Sequence, residues 1–291
     1  MSDKVVVFGE MLWDCLPSGD VAGGAPMNVA LNLHQLGLDT QLISAVGTDD
    51  LGEKLLNFYR DYGISDELIQ LKSDQETSRV LVDSSDRENI KYTILSPVAW
   101  DFISLTEENK KAVKSANAFV FGTLAVRNTT SLKTLLDLLH LAKLRIFDAN
   151  LRPPFYDFEV IETLLAYTDI LKINEDELVA FADYFNTSAD PKILCEFLDK
   201  HFPVDLICIT LGSNGAMIYQ KGEFFHHQGY KIQVQDTIGA GDAFLSGFIK
   251  MYLDQKSPQE ILDFSCRIGA FVAAQNGGTP RYQLADILKI R

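Results

Sequence analysis

The segment with the clearest chemistry reads DTIGAGDAF, residues 236–244, and it opens a long apolar stretch with helical character. Gly239 and Gly241 let backbone N–H groups approach a ligand closely, and the positive end of a helix dipole attracts an anion. Asp242 would follow in the first turn, where its carboxylate could accept a proton. The alternative is an ordinary glycine-rich loop with Asp242 as a helix-dipole partner. The segment matches neither a Gly-Lys-Ser/Thr phosphate loop nor G-x-G-x-x-G, because Phe244 occupies the last place.

Three other polar or glycine-rich segments lie where predicted strands end or predicted helices begin. They read GGAPMN at residues 23–28, NEDE at 174–177 and TLGSNGA at 210–216. Strands and helices alternate along the chain, which predicts an α/β fold with a mainly parallel sheet and helices on both faces. Ligands bind beyond the carboxyl ends of the strands in such sheets, so we expect these segments to meet there.

The predicted elements form one α/β domain over residues 1–291. The predicted strands are 4–8, 40–46, 118–121, 145–148, 170–173, 206–210, 216–219 and 223–227, and the predicted helices are 27–36, 51–62, 129–142, 175–185, 191–201, 240–253 and 258–275. Segments 77–83 and 89–95 interrupt this rhythm, because both are β-rich and together indicate a hairpin. We therefore expect a small β lid formed mainly by residues 77–97 and by part of 11–22.

Composition narrows the function classes. The chain has 291 residues, 47% of them hydrophobic, and a formal net charge of −14. This balance lacks the basic footprint of a protein that binds nucleic acid or an anionic membrane surface. The N-terminus runs into a predicted strand with no signal-peptide pattern, and the four cysteines are scattered, which favours buried free thiols and a cytoplasmic protein.

Taken together, in this order and at this spacing, the four segments resemble those of the ribokinase (PfkB-type) family of carbohydrate kinases. The resemblance covers nearly the whole chain, and within the family the chain is most similar to fructokinases. It implies a ribokinase-like fold with a small β lid, and ATP-dependent transfer of a phosphoryl group to a sugar hydroxyl. The resemblance implies that Asp242 is the catalytic base and that the N–H groups of Gly239, Ala240, Gly241 and Asp242 form the anion hole.

The resemblance also assigns ligand-binding residues. The sugar would contact Asp14, Gly24, Asn28 and Arg152. Magnesium and the phosphates would be organised by Asn174 and Glu177, with Glu177 acting on Mg²⁺ indirectly. The nucleotide would contact Asn174, Glu177, Thr210, Gly212, Gly215, Gly239, Gly241 and Asn276. Asp236 matches a residue near a monovalent-cation site, which suggests K⁺.

Three segments favour fructose as the sugar. They are GAPMN at residues 24–28, FGTLA at 121–125 and DANLRP at 148–153. Arg152 could bind the sugar or its phosphate as a forked donor, or form a structural salt bridge instead. The alternatives are another small polyol (ribose, 2-keto-3-deoxygluconate or a nucleoside) or an inactive sugar-binding regulator.

Two segments depart from the typical family pattern. Eight residues separate Asp14 from Gly23, which makes this part of the lid shorter than usual, and PVAWD at 97–101 differs from the usual fructokinase sequence. Both leave the sugar's identity and dimerisation through the lid open, so a homodimer is an expectation only. Ile238 replaces the commoner threonine, a mild change if only its backbone is used.

Aromatic and histidine residues outside these segments allow weaker interpretations. Trp13 and Trp100 could stack on a sugar ring or pack in the core. His226 and His227 are adjacent on a predicted strand and would point to opposite faces, so a shared metal ion is not expected.

Overall fold

A computed structural model describes residues 2–16, 19–83 and 91–291 of the chain. The strands are β1 (Lys4–Phe8), β2 (Leu12–Leu16), β3 (Gly19–Gly23), β4 (Asp39–Gly47), β5 (Ile69–Lys72), β6 (Arg79–Asp83), β7 (Lys91–Ile94), β8 (Ala118–Gly122), β9 (Arg145–Asp148), β10 (Ile170–Asn174), β11 (Leu206–Thr210), β12 (Ala216–Gln220) and β13 (Glu223–His227). The helices are α1 (Ala25–Gln35), α2 (Asp50–Arg60), α3 (Glu107–Ser115), α4 (Thr129–Leu139), α5 (Phe158–Leu165), α6 (Glu175–Tyr184), α7 (Pro191–His201), α8 (Ala240–Leu253), α9 (Pro258–Ala273) and α10 (Leu284–Ile287).

The large sheet has nine strands in the order β13-β12-β11-β10-β9-β8-β1-β4-β5. Pairing is parallel from β11 through to β5, and it is antiparallel between β11, β12 and β13. The carboxyl ends of β1, β8, β9, β10 and β11 therefore lie at one edge. The predicted mainly parallel α/β fold is confirmed.

Hydrophobic cores lie on both faces of the large sheet. On β1, Val6 and Phe8 belong to one core, whereas Val5 and Val7 belong to the other. Successive strand residues point to opposite faces, so a strand covered on both sides is apolar throughout. Helices α3 to α7 pack on the first face, and α1, α2, α8 and α9 pack on the second.

The small sheet has the order β3-β2-β6-β7. Strands β6 and β7 pair antiparallel, as the predicted hairpin requires, and residues 84–90 between them lie outside the described residues. Strand β2 pairs antiparallel with β3 and parallel with β6, which places Asp14 opposite both Val21 and Val80. The sequence prediction included this region in the lid without recognising its two strands.

Some local predictions need correction. Helix α1 begins at Ala25, two residues before the predicted start, because Pro26 suits the first helical turn and Gly24 adopts a φ of 107° as the cap. The predicted helix 258–275 ends at Ala273. All four cysteines are free; Cys15 is half-buried on β2, whereas the other three are buried as expected.

Candidate active site

The side chains of Asp242 and Asn28 meet where α8 and α1 begin. Asn28 Nδ2 donates a hydrogen bond of 2.8 Å to Asp242 Oδ2. Burial raises the pKa of Asp242 to about 6, an effect that the Asn28 hydrogen bond opposes. The charge of Asp148 raises this pKa further, whereas Lys172 and Arg152 lower it. The carboxylate is therefore ionised at neutral pH yet more basic than an ordinary aspartate, which suits a general base.

The turn before α8 depends on the conformation of Gly239. Its φ is 72°, and a Cβ at this position would lie 2.3 Å from the carbonyl oxygen of Gly278. Gly241 has ordinary φ, and a Cβ there would meet nothing within 4 Å. The positive φ and the close approach of Gly278 therefore require glycine at position 239. At position 241, the absence of a side chain leaves open space in front of the helix.

Free N–H groups at the start of α8 point to an anion site. Within the described ranges, the N–H groups of Gly239, Gly241 and Asp242 have no hydrogen-bond acceptor, whereas Ala240 donates to the Thr237 carbonyl at 3.3 Å. Of the four N–H groups assigned to the anion hole from the sequence, three therefore lack an acceptor among the described residues. Together with the helix dipole, three free donors could accept an anion such as a phosphoryl group.

The residues predicted to contact the sugar lie around the same point. A Cβ on Gly23 would meet Asp14 Oδ2 at 2.5 Å, and one on Gly24 would meet the Glu10 carbonyl oxygen at 2.6 Å. Both glycines thus allow the turn before α1 to pack against β2 and the segment after β1. Burial raises the pKa of Asp14, and the charge of Arg152 lowers it.

Arg152 lies near several acidic groups without being fixed to one of them. Its charge lowers the pKa values of Glu10, Asp14 and Asp242, which places the guanidinium in their common field. The side chain is exposed, and among the described residues it hydrogen-bonds only the Leu151 carbonyl, at 3.3 Å. The structural salt bridge considered from the sequence is not formed with any described carboxylate, so the guanidinium is available to a ligand.

Asn174 and Glu177 form a capping box at the start of α6. Asn174 Oδ1 accepts from the Glu177 N–H, and Glu177 Oε2 accepts from the Asn174 N–H, both at 2.9 Å. Glu177 Oε1 also accepts from the Leu151 N–H at 2.8 Å. Glu177 is only 4% exposed, and burial raises its pKa while Lys172 lowers it. Both carboxylate oxygens of Glu177 thus accept hydrogen bonds from backbone N–H groups, and one of these groups belongs to Leu151, next to Arg152.

The nucleotide-contact candidates lie at the neighbouring strand end. Thr210 pairs with Asn174 in the ladder between β10 and β11. The loop after it closes through a bond of 2.8 Å from the Leu211 N–H to the Gly215 carbonyl. Gly215 has a φ of 87°, and a Cβ there would lie 1.9 Å from the His227 carbonyl oxygen. Gly212, with a φ of 53°, borders the same loop.

Asp236 joins the glycine turn to the loop after α9. Its Oδ1 accepts from the Ile238 N–H at 2.9 Å, and its Oδ2 accepts from the Gly277 N–H at 3.2 Å. Asn276 is exposed on that loop, one residue before Gly277. The structure therefore brings Asn276 beside the candidate anion site.

Three charged residues at the site were not assigned a role from the sequence. Glu10 follows β1 and is 3% exposed, and burial raises its pKa to about 7. Asp148 ends β9, and its Oδ1 lies 2.7 Å from Lys172 Nζ on β10. A lysine inside the apolar run ILKI is the signal that could have identified this pair.

The other candidate residues lie in different environments. The ring of Trp100 is fully buried and 4.1 Å from the Arg127 guanidinium, so it packs in the core. Trp13 is half-buried and donates to the Leu51 carbonyl at 3.0 Å. Among the described residues no group of three His, Cys, Asp or Glu side chains could hold a metal ion. No helix in the described part of the chain is long and apolar enough to cross a bilayer.

Comparison with known proteins identifies the family of this chain. Residues 18–283 match the family described as pfkB family carbohydrate kinase, so the chain belongs to that family and is a carbohydrate kinase. It is 27% identical to a probable fructokinase-7 of Arabidopsis thaliana, over 98% of this chain and 91% of the relative.

Solved structures show the same fold. A fructokinase with bound ATP from Xylella fastidiosa has a TM-score of 0.88 at 22% identity, covering 99% of this chain and 98% of the other. A 2-dehydro-3-deoxygluconokinase from Thermotoga maritima has a TM-score of 0.86 at 20% identity, covering 100% and 98%.

Proposed function

We propose that this carbohydrate kinase transfers the γ-phosphoryl group of ATP to a hydroxyl of fructose, with Asp242 as the general base. The observation that carries the proposal is the Asp242 carboxylate, held by Asn28 beside three free N–H groups at the start of α8. A proton acceptor and an anion site then lie side by side, as phosphoryl transfer to an alcohol requires.

The proposed reaction is a direct transfer. The sugar hydroxyl oxygen attacks the γ-phosphorus while its proton passes to Asp242, and the bond from the γ-phosphorus to the bridging oxygen breaks to release ADP. The N–H groups of Gly239 and Gly241 would stabilise the charge on the transferred group. One such preorganised donor contributes about 3–4 kcal/mol to the barrier, and a positioned base contributes roughly 10²–10⁴-fold in rate.

The sugar would lie between the small sheet and the edge of the large one. Asp14 on β2 can accept hydrogen bonds from two hydroxyl groups, and Arg152 can donate two in parallel. Gly24 allows the backbone to approach the sugar closely, and the Oδ1 atom of Asn28 has no partner within the described residues. We propose that residues 1–291 act as one unit in which the small sheet is a lid. Dimerisation through that lid remains part of the proposal.

The nucleotide would lie across the ends of β10 and β11, towards Asn276. ATP as the donor is supported by the fructokinase structure with bound ATP. The acidic groups fit a Mg²⁺ ion held mainly by phosphates and water, because Glu177 directs both oxygens to backbone N–H groups. Bound Mg²⁺ would neutralise phosphate charge, and Glu177 would act on it indirectly. A K⁺ ion near Asp236 belongs to the same proposal.

Fructose is supported by the sequence segments around Gly24, Gly122 and Arg152, and by relatives whose names are fructokinase. One observation favours a second candidate, 2-keto-3-deoxygluconate. The guanidinium of Arg152, which forms no ion pair within the described ranges, could bind that substrate's carboxylate, and a 2-dehydro-3-deoxygluconokinase shares the fold.

A coupled assay with saturating MgATP tests the assignment on fructose, ribose, glucose, 2-keto-3-deoxygluconate and adenosine. We expect the highest kcat/KM for fructose. A ten-fold higher value for another sugar, about 1.4 kcal/mol of transition-state preference, would overturn fructose as the substrate. An Arg152→Met variant separates the two candidates, because the acid would lose far more kcat/KM than the neutral sugar.

A further inference from the structure

Lys172 and Asp148 form a buried ion pair under the candidate active site. Lys172 Nζ lies 2.7 Å from Asp148 Oδ1, and each side chain is 8% exposed. Removing two charges from water costs about as much as their attraction returns, so apolar residues at such positions are often neutral or stabilising. Stability therefore gives little reason for this pair, and its position suggests a functional one.

The pair lies at the end of the strands that faces the site. Asp148 and Lys172 are ladder partners on β9 and β10. Asp148 also lines a small cavity together with Glu10 and with Leu245 of α8. The pair thus lies below the first turns of α8, where Asp242 is placed.

The two charges of the pair act on Asp242 in opposite directions. Asp148 raises the pKa of Asp242, whereas Lys172 lowers it. The other groups that face Asp242 are Asn28, Arg152 and Glu10. The charge of Glu177 raises the pKa of Lys172, and its two oxygens are bonded to backbone N–H groups. Removing one member of the pair would expose Asp242 to the uncompensated charge of the other.

The segment that carries Arg152 begins directly after Asp148, where β9 ends. The Ala149 N–H donates to the Lys172 carbonyl at 3.1 Å, and Thr123 Oγ1 donates to the Ala149 carbonyl at 2.7 Å. The backbone that leaves Asp148 is thereby held from two sides before it reaches Arg152.

We propose that the Asp148–Lys172 ion pair is a positioning element for the phosphoryl-transfer site, which sets the electrostatic environment of Asp242 from below the first turns of α8. This inference rests on the proposed role of Asp242 as the base. Neither member of the pair needs to touch the substrate.

The test is the pH dependence of kcat/KM, which reports the ionisation of the free enzyme. Activity requires ionised Asp242, so a higher pKa moves the acid limb to higher pH. Lys172→Met should move the limb up by about 0.5 pH unit or more, and Asp148→Asn should move it down by a similar amount. The acid limb of the double variant should lie close to that of the parent. The series is repeated with Glu10→Gln, so that a second carboxyl group does not titrate nearby.

A second ion pair on the same strands provides the matched control. Arg145 Nη2 and Asp169 Oδ1 lie 2.6 Å apart at the opposite end of β9 and β10. Arg145→Met and Asp169→Asn remove equivalent charges at the end of the strands away from Asp242, so their acid limbs should match the parent's. Melting temperatures of all variants measure the structural cost of each change separately.

Opposite shifts for the two site variants, with no shift for the control pair, would support the inference. Shifts of the same sign, or limbs within about 0.2 pH unit of the parent, would overturn it. If neither single variant folds, the double variant decides. An acid limb within about 0.2 pH unit of the parent's supports two compensating charges, and a displacement of about 0.5 pH unit or more overturns the inference. If the proposed role of Asp242 as the base were wrong, the result would be different: the Asp242→Asn variant would keep undiminished turnover.

Discussion

Asn28 on α1 donates a hydrogen bond of 2.8 Å to Asp242 on α8, across 214 positions of sequence. The bond opposes the effect of burial on the Asp242 carboxyl group and keeps it ionised at neutral pH. It also fixes the direction of the carboxylate relative to the free N–H groups of the glycine turn. The packing of α1 against α8 thus determines both the ionisation and the orientation of the proposed base, Asp242.

Replacing Asn28 with alanine removes a hydrogen bond that favours the charged carboxylate. The pKa of Asp242 should therefore rise above its value of about 6, and the acid limb of kcat/KM should move to higher pH. Asn32→Ala is the control, because Asn32 lies one turn further along α1 and bonds Tyr282 and the Asn28 carbonyl but not Asp242. A pH–rate profile of each variant checks this, and equal shifts in both would contradict it.

Alanine substitutions at the two turn glycines should have different consequences. Gly239→Ala forces a side chain onto positive φ and against the Gly278 carbonyl, which should lower stability by about 1 kcal/mol or more. Gly241→Ala places its methyl group in open space, so the fold should be unchanged while the KM for ATP rises or kcat falls. Thermal melts and steady-state kinetics distinguish them. A normal kcat and KM for Gly241→Ala would remove this turn from the phosphoryl site.

Asp14→Asn should weaken sugar binding far more than ATP binding. The residue lies on the small sheet, in the field of Arg152, and its carboxylate can accept from two hydroxyl groups. We expect roughly ten-fold weaker sugar binding by calorimetry, about 1.4 kcal/mol. Asp20→Asn, an exposed change on neighbouring β3, should alter neither affinity. Equal losses for sugar and ATP would exclude Asp14 from the sugar site.

The sequence predicted the elements whose ends carry strong local signals. Strand 145–148 and helices 191–201 and 240–253 have the predicted bounds. A proline opens the second of these elements and a glycine turn precedes the third, and such signals act within a few residues. By contrast, β5 and α5 were missed, because each is short and relies on neighbours for its apolar contacts.

The glycine turn of the site could be predicted from the sequence, but most of the charged residues around it could not. Asp242 could be identified because the segment around it is distinctive. The contact with Asn28, and the proximity of Glu10 and Lys172, depend on how distant elements pack. Local periodicity does not determine such packing, and an ionisable group becomes perturbed only through the neighbours that packing provides.

Glu10→Gln should leave the acid limb of kcat/KM close to the parent's. Burial raises the pKa of Glu10 to about 7, above the value of about 6 for Asp242. Glu10 is therefore mostly protonated while Asp242 ionises, and glutamine resembles that neutral form. A pH–rate profile compared with the parent measures any shift. A limb displaced by about 0.5 pH unit or more would contradict this order of ionisation.

The most direct test of Asp242 as the base is kcat of Asp242→Asn with saturating fructose and MgATP. Asparagine has nearly the same shape but cannot accept the proton at neutral pH, so kcat should fall by roughly 10²–10⁴-fold, about 3–5 kcal/mol of barrier. Melting temperature and sugar affinity should remain near the parent values, and Asp254→Asn at the other end of α8 should retain full kcat. A fall of less than about five-fold, with an unchanged melting temperature, would show that Asp242 is not the base.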